Sequence, residues 1–177
     1  MNIRKKWILR IVLGAAAALL CVTPWKRIPK RTAYRTADEY PYQIAGDRAG
    51  FNPARIDITV GDHLYMTQIN DWYLNFQEYA GKTVEIEGYY IDTGSGYTFV
   101  GRNGPSCPYC TGGYVDFEFQ TDQDCSGFIS GETWISVAGI LREGNTRLSS
   151  GERKPFYYIE AIRVKALNRP GINPVVD

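Results

Sequence analysis

Three cysteines in the second half of the chain are the residues best suited to chemistry. Cys107 and Cys110 form a Cys-Pro-Tyr-Cys tetrad within the glycine-containing segment 101–113, and Cys125 follows after a predicted strand. A CxxC turn directs two thiolates at one point, and Cys125 could supply a third. Such a sulfur-rich set suits zinc or copper(I). The sequence therefore predicts a metal site at Cys107, Cys110 and Cys125, with zinc as the expected cofactor.

Several residues could complete or flank this site. The fourth metal ligand could be the only histidine or a carboxylate near the cysteines: His63, Asp116, Asp122 or Asp124. His63 is more typical of a surface or capping position. Arg102 ends a predicted strand just before the loop, and we predict that it binds ligand together with Tyr109. The alternative for Arg102 is an ordinary exposed charge at the end of a strand.

Two other chemistries compete with metal binding. Thiol–disulfide exchange is suggested by the tetrad itself, but it requires the first cysteine at the N-terminus of a helix, where the thiol pKa is lowered. Here the tetrad leads into Thr111-Gly112-Gly113 and then a strand. A structural disulfide that closes the loop is the third interpretation. The sequence contains no nucleophile elbow, phosphate-binding loop or dinucleotide fingerprint, and no catalytic residues are predicted.

The elements that would position the loop are mostly strands. Alternating apolar residues and turn signals predict strands at residues 56–60, 83–91, 97–102, 114–119, 133–141 and 156–167, the last two separated by a polar loop. Apolar and aromatic residues spaced three or four apart predict one short helix between Leu64 and Ala80, with its stripe facing the core. Gly88 and Gly139 indicate sharp bends. The predicted fold of residues 53–177 is a small barrel of the oligonucleotide/oligosaccharide-binding (OB) type, and a two-sheet sandwich is the alternative.

The N-terminal segment resembles a membrane-targeting sequence. A basic start is followed by an uncharged run of 13 residues, Ile11–Thr23, which is short for a spanning helix. A cleaved signal peptide and a lipoprotein signal using Cys21 remain open. We favour an uncleaved anchor over residues 1–25, followed by a basic extended tether over residues 26–52. This interpretation places the protein at the bacterial cytoplasmic membrane with its domain outside the cytoplasm.

The charge distribution limits the partners of the domain. Residues 1–35 contain nine of the 20 basic residues and none of the 19 acidic ones. The remainder therefore has 11 basic and 19 acidic residues, a net charge of −8. Because phosphate binding needs a basic surface, nucleic acid is not an expected partner.

Four segments resemble, in order, a bacterial family described as subunits of a two-component membrane permease complex. The segments are Tyr79–Tyr89, Phe99–Arg102 with the cysteine pair, Trp134–Gly139 and Pro170–Val175. The resemblance covers roughly residues 54–176 and implies a small OB-like barrel and a membrane permease partner. The family tends to have adjacent cysteines where this chain has Cys107 and Cys110.

Together these features predict a membrane-tethered binding module outside the cytoplasm, with metal bound by the cysteine loop and a membrane transport partner. A thiol–disulfide redox protein and a structural envelope protein with an inert disulfide are the alternatives. Enzymatic activity is the less favoured expectation.

Overall fold

Most strands and helices lie where the hydrophobic pattern of the sequence predicts them. The structure is a computed structural model that describes residues 51–105, 113–148 and 150–176. In chain order its elements are β1 (Ile58–Val60), α1 (Tyr65–Leu74), α2 (Phe76–Tyr79), β2 (Thr83–Asp92), β3 (Thr98–Asn103), β4 (Tyr114–Gln120), β5 (Trp134–Arg147) and β6 (Arg153–Ala166). The fold is mainly β, as predicted. The six predicted strands are present, although β1 is shorter than expected and β5 and β6 are longer.

The strands form one sheet that closes partly into a ring. Neighbouring strands follow the order β1-β2-β3-β4-β6-β5, and β5 also pairs with β2. The β1–β2 and β4–β6 pairs are parallel, and the other pairs are antiparallel. The β4–β6 pairing is brief, since it joins only Phe119 to Ile159 and Gln120 to Glu160. Alternate residues of the strands face a shared core that includes Val84, Ile86, Val100, Phe117, Phe119, Val137 and Ile159.

The helical segment covers one side of this core. The prediction of one helix at residues 64–80 is correct in position, but the segment divides into α1 and α2 at Asn75. The ring of Trp72 meets that of Phe117 edge-on, with centroids 5.1 Å apart, and Phe76 stacks on Tyr157 at 3.9 Å. The prediction that the aromatic stripe faces the core is confirmed for these buried residues. Tyr73 lies at its margin and is partly exposed.

Gly88 and Gly139, for which the sequence predicted sharp bends, lie where paired strands approach each other closely. A Cβ atom at Gly88 would lie 2.6 Å from the carbonyl oxygen of Gly101. A Cβ atom at Gly139 would overlap the carbonyl oxygen of Glu160, next to an irregularity in the β5–β6 register at Ala138/Gly139. Both glycines therefore mark places where a side chain would push paired strands apart.

The polar connection predicted after residue 141 is instead mostly strand. β5 and β6 continue their pairing as far as Arg147 and Arg153, so the turn itself spans only residues 148–152. The polar composition of residues 142–147 and 153–155 predicts a loop, but cross-strand pairing holds these residues in extended structure whatever their hydropathy.

The predicted anchor (residues 1–25) and almost all of the predicted tether (residues 26–52) lie outside the described residues. Within the described part of the chain, neither helix has the length and apolar content needed to cross a membrane.

We predict that Gly139→Ala destabilises the protein by roughly 1–3 kcal/mol, since the added methyl group overpacks the β5–β6 pairing. Urea unfolding followed by circular dichroism measures the loss. Gly127→Ala is the matched control, because a Cβ at Gly127 meets no atom within 4 Å. Equal stability of the two variants would contradict the close approach at Gly139.

Candidate functional site

The structure describes two of the five residues predicted to bind metal or ligand. Arg102 lies on β3, and Cys125 lies in the connection between β4 and β5. Cys107, Tyr109 and Cys110 fall in the segment 106–112, which lies outside the described residues. The three-cysteine metal site therefore stays a prediction, and the structure defines the framework around it.

The two ends of the cysteine loop are held together by β3 and β4. The antiparallel register of these strands extends to Asn103, which lies opposite Tyr114. One step further, the N–H of Gly104 donates a hydrogen bond to the carbonyl oxygen of Gly113 at 2.7 Å. The cysteine tetrad is thus inserted between two adjacent, hydrogen-bonded positions at one end of a hairpin.

Arg102, at the end of β3, is fully buried and binds three separate segments of the chain. Its Nε donates to the carbonyl oxygen of Glu87 at 3.0 Å. Its Nη1 donates to Oδ1 of Asp62 at 2.6 Å and to the carbonyl oxygen of Ile172 at 3.1 Å. The side chain therefore joins β3 to β2, to the β1–α1 connection and to the C-terminal segment.

Two aromatic rings flank the same guanidinium group. Its carbon Cζ lies 4.3 Å from the ring centroid of Tyr65 and 5.1 Å from that of Trp134. Such cation–π contacts favour a desolvated arginine by about 1–2 kcal/mol each. Burial raises the pKa of Tyr65, so its hydroxyl stays neutral at physiological pH.

Asp62 neutralises Arg102 and also binds the C-terminal segment. Its Oδ1 accepts a hydrogen bond from the N–H of Ile172 at 3.1 Å. The hydrogen bond from Arg102, followed by that from Ile172, lowers the pKa of Asp62 below its ordinary value. Next to this pair, Oδ1 of Asn173 accepts from the N–H of Asn103 at 2.8 Å, and the N–H of Val175 donates to the Asn103 carbonyl at 3.0 Å. The C-terminal segment is therefore attached at the base of the cysteine loop.

These contacts change the interpretation of Arg102. The alternative of an exposed charge at the end of a strand is wrong, because no part of the residue is accessible to solvent. Its predicted ligand-binding role stays a prediction, although Nε and Nη1 already bind protein acceptors. Sequence reasoning could not identify the partners, since Asp62 and Ile172 are 40 and 70 residues away along the chain.

Asp116 was among the possible metal ligands and lies on the same hairpin, opposite Gly101. Burial raises the pKa of its carboxyl group. Its carbonyl oxygen accepts a hydrogen bond from the Tyr73 hydroxyl at 3.3 Å, which ties β4 to α1. His63, another possible ligand, is exposed on the β1–α1 connection.

Cys125 occupies a different environment from the loop. It is a half-buried free thiol packed against the core cluster. Burial, reinforced by the charge of Asp124, raises the pKa of Cys125, so the neutral thiol is favoured. Along the chain, β4 and residues 121–124 separate Cys125 from the base of the loop. Among the described residues, no three His, Cys, Asp or Glu side chains are grouped so as to hold a metal ion.

Comparison with known proteins adds no family assignment. No protein-family model matches the chain, and no curated protein is significantly similar to it.

We predict that Asp62→Asn destabilises the protein by about 2 kcal/mol at neutral pH, because it leaves the buried guanidinium of Arg102 without its counter-charge. This loss of unfolding free energy is smaller than the loss expected when a fully buried ion pair is broken, since Asp62 is partly exposed. The lowered pKa of Asp62 means that wild type has this stabilisation above about pH 4 and loses it as the pH falls further. The stability difference, measured by urea unfolding from pH 3 to 7, should therefore shrink at acid pH. A difference independent of pH would contradict the ion pair.

We also predict that Cys125 is alkylated slowly in the native protein at about pH 8, because its raised pKa leaves little thiolate. Mass spectrometry of the Cys125 peptide after iodoacetamide treatment measures the rate, with protein unfolded in guanidinium as the reference. Equal rates in the two states would contradict the burial of this thiol.

Proposed function

We propose that the protein is a membrane-tethered binding module outside the cytoplasm, in which Cys107 and Cys110 hold a metal ion, most simply zinc. The observation that carries this proposal is the closed base of the cysteine loop, where Gly104 and Gly113 are hydrogen-bonded. A binding element needs fixed ends, and β3 and β4 supply them. Two thiolates leave further coordination positions for a ligand or for a partner protein.

The strand order supports an OB-like barrel as the scaffold. Five strands, β2 to β6, pair around the partial ring, while β1 adds to the edge of β2. OB folds are partly open five-stranded barrels that bind ligands on the face formed by their second and third strands. In this chain those two strands correspond to β3 and β4, the pair that carries the cysteine loop.

The flanking elements favour metal binding over thiol–disulfide exchange. Exchange proteins lower the pKa of the reactive cysteine with a helix N-terminus. Here β3 precedes the loop and β4 follows it. A thiolate in such a position gains most stabilisation from a bound cation, which also replaces its proton.

We assign Cys125 to packing rather than to the metal site. Its thiol contacts the core, its pKa is raised, and it follows the far end of β4.

A membrane transport protein is the partner we propose, on the basis of the resemblance to permease-complex subunits. The resembling segments include Arg102 and Trp134, which contact each other, and Gly88 and Gly139, where paired strands approach closely. The resemblance therefore supports a shared barrel scaffold most directly. The proposal of a membrane transport partner rests on the same resemblance.

Replacement of both loop cysteines tests this proposal. The full chain, purified anaerobically in detergent, should contain about one metal ion per molecule by elemental analysis. We expect Cys107→Ser/Cys110→Ser to lose that metal while the far-ultraviolet circular dichroism stays unchanged, because the barrel core does not depend on the loop. Cys125→Ser is the matched control and should keep the metal.

Other outcomes would support the alternatives. Loss of metal in Cys125→Ser would support the hypothesis of a metal site formed by all three cysteines. Absence of metal together with a disulfide, and a stability loss of about 2–4 kcal/mol in the double variant, would indicate a structural envelope protein. Reductase activity that disappears in the double variant would indicate a redox protein.

A further inference from the structure

The β5–β6 hairpin extends beyond the ring as a two-stranded arm. Within the ring, Leu141 of β5 exchanges hydrogen bonds with Gly81 and Lys82, and Ile159 and Glu160 of β6 pair with β4. Beyond these positions, residues 142–147 and 153–158 pair only with each other. Six residues of strand give the arm a length of roughly 20 Å.

Side-chain contacts at its base hold the arm in place. Nε of Arg142 binds Oε2 of the buried Glu160 at 2.9 Å. Tyr157 stacks on Phe76 of α2, and Nε2 of Gln77 donates to Oε2 of Glu143 at 2.9 Å. Because an isolated two-stranded hairpin is only marginally stable, these contacts are what allow the arm to persist.

The tip of the arm concentrates positive charge. Residues 144–154 contain three basic residues and one acidic residue, whereas the chain from residue 36 onward has a net charge of −8. The backbone register pairs position 147 with Arg153 at the last step of the hairpin. Arg153 and Lys154 are exposed, and neither belongs to an ion pair of the described residues. With Glu152 as its one acidic residue, the tip keeps a net charge of +2.

An apolar side chain lies among the cations. Leu148 begins the turn and is 36% exposed. Its N–H donates to the carbonyl oxygen of Glu152 at 2.8 Å, and the N–H of Gly151 donates back to the Leu148 carbonyl at 2.8 Å. An exposed leucine on a closed turn, flanked by arginine and lysine, combines the two contributions that bind peripheral segments to anionic bilayers.

We propose that the tip of this arm docks on the anionic phospholipid surface of the membrane. Arg153 and Lys154 bind headgroup phosphates, and Leu148 enters the interface. This inference rests on the proposed membrane tether, since the tether keeps the acidic domain near a surface that would otherwise repel it. Docking would fix the orientation of the barrel and hence the direction in which the cysteine loop faces a membrane partner.

Hydrogen exchange on the full chain in lipid nanodiscs tests this proposal. Discs of phosphatidylcholine alone are compared with discs that also contain phosphatidylglycerol. We expect amides of residues 144–154 to exchange at least about threefold more slowly in the anionic discs, and the effect to vanish at about 1 M salt, where screening is nearly complete. Since each cation near such a surface changes binding about fivefold, Arg153→Glu/Lys154→Glu should lower the docked-to-free ratio by at least about 25-fold and abolish the protection.

Lys165→Glu/Arg169→Glu is the matched control, because it makes the same charge change at two exposed cations away from the tip. Docking is overturned if the tip amides exchange equally fast in both kinds of disc. It is also overturned if the control variant loses as much protection at the tip as the Arg153→Glu/Lys154→Glu variant. Either result leaves the tether intact. Protection by an acidic peptide but not by anionic discs also overturns it and indicates an acidic protein partner. Failure of the chain to insert into discs overturns the tether, and added anionic vesicles then test docking alone.

Discussion

The ion pair between Arg102 and Asp62 is the interaction on which the arrangement around the cysteine loop depends. Through one buried guanidinium it connects β3 to β2, to the connection before α1 and to the C-terminal segment. A buried charge is costly unless it is paired and hydrogen-bonded. The four segments must therefore be in place together, and they fix the end of β3 that leads into the cysteine loop.

The two ends of β4 have different surroundings. At the loop end, the N–H and carbonyl of Asn103 are used by Asn173 and Val175, and the chain next to the cysteines has fixed neighbours. At the opposite end of β4, Cys125 packs among apolar side chains as a neutral thiol. The proposed metal ligands Cys107 and Cys110 thus precede β4, whereas Cys125, which packs against the core, follows it.

The fold was largely predictable from the sequence, whereas the site was predictable only in part. Alternating hydrophobicity located the strands, because it is a local property of the chain. Gly88 and Gly139 were predicted to mark bends, whereas the close approach of strands at these positions depends on partners distant in sequence. The hairpin extension at residues 142–147 was missed, since its polar residues are held in strands by cross-strand pairing. The role of Arg102 was missed because a charged residue at a strand end is ordinarily exposed, and its partners are distant in sequence.

Metal-edge X-ray absorption of the anaerobically purified full chain tests the central claim most directly. The account predicts zinc with two sulfur neighbours at about 2.3 Å and lighter atoms in the remaining positions. A spectrum with only nitrogen and oxygen neighbours, or a protein without bound metal, would contradict the claim that the hairpin presents Cys107 and Cys110 as metal ligands.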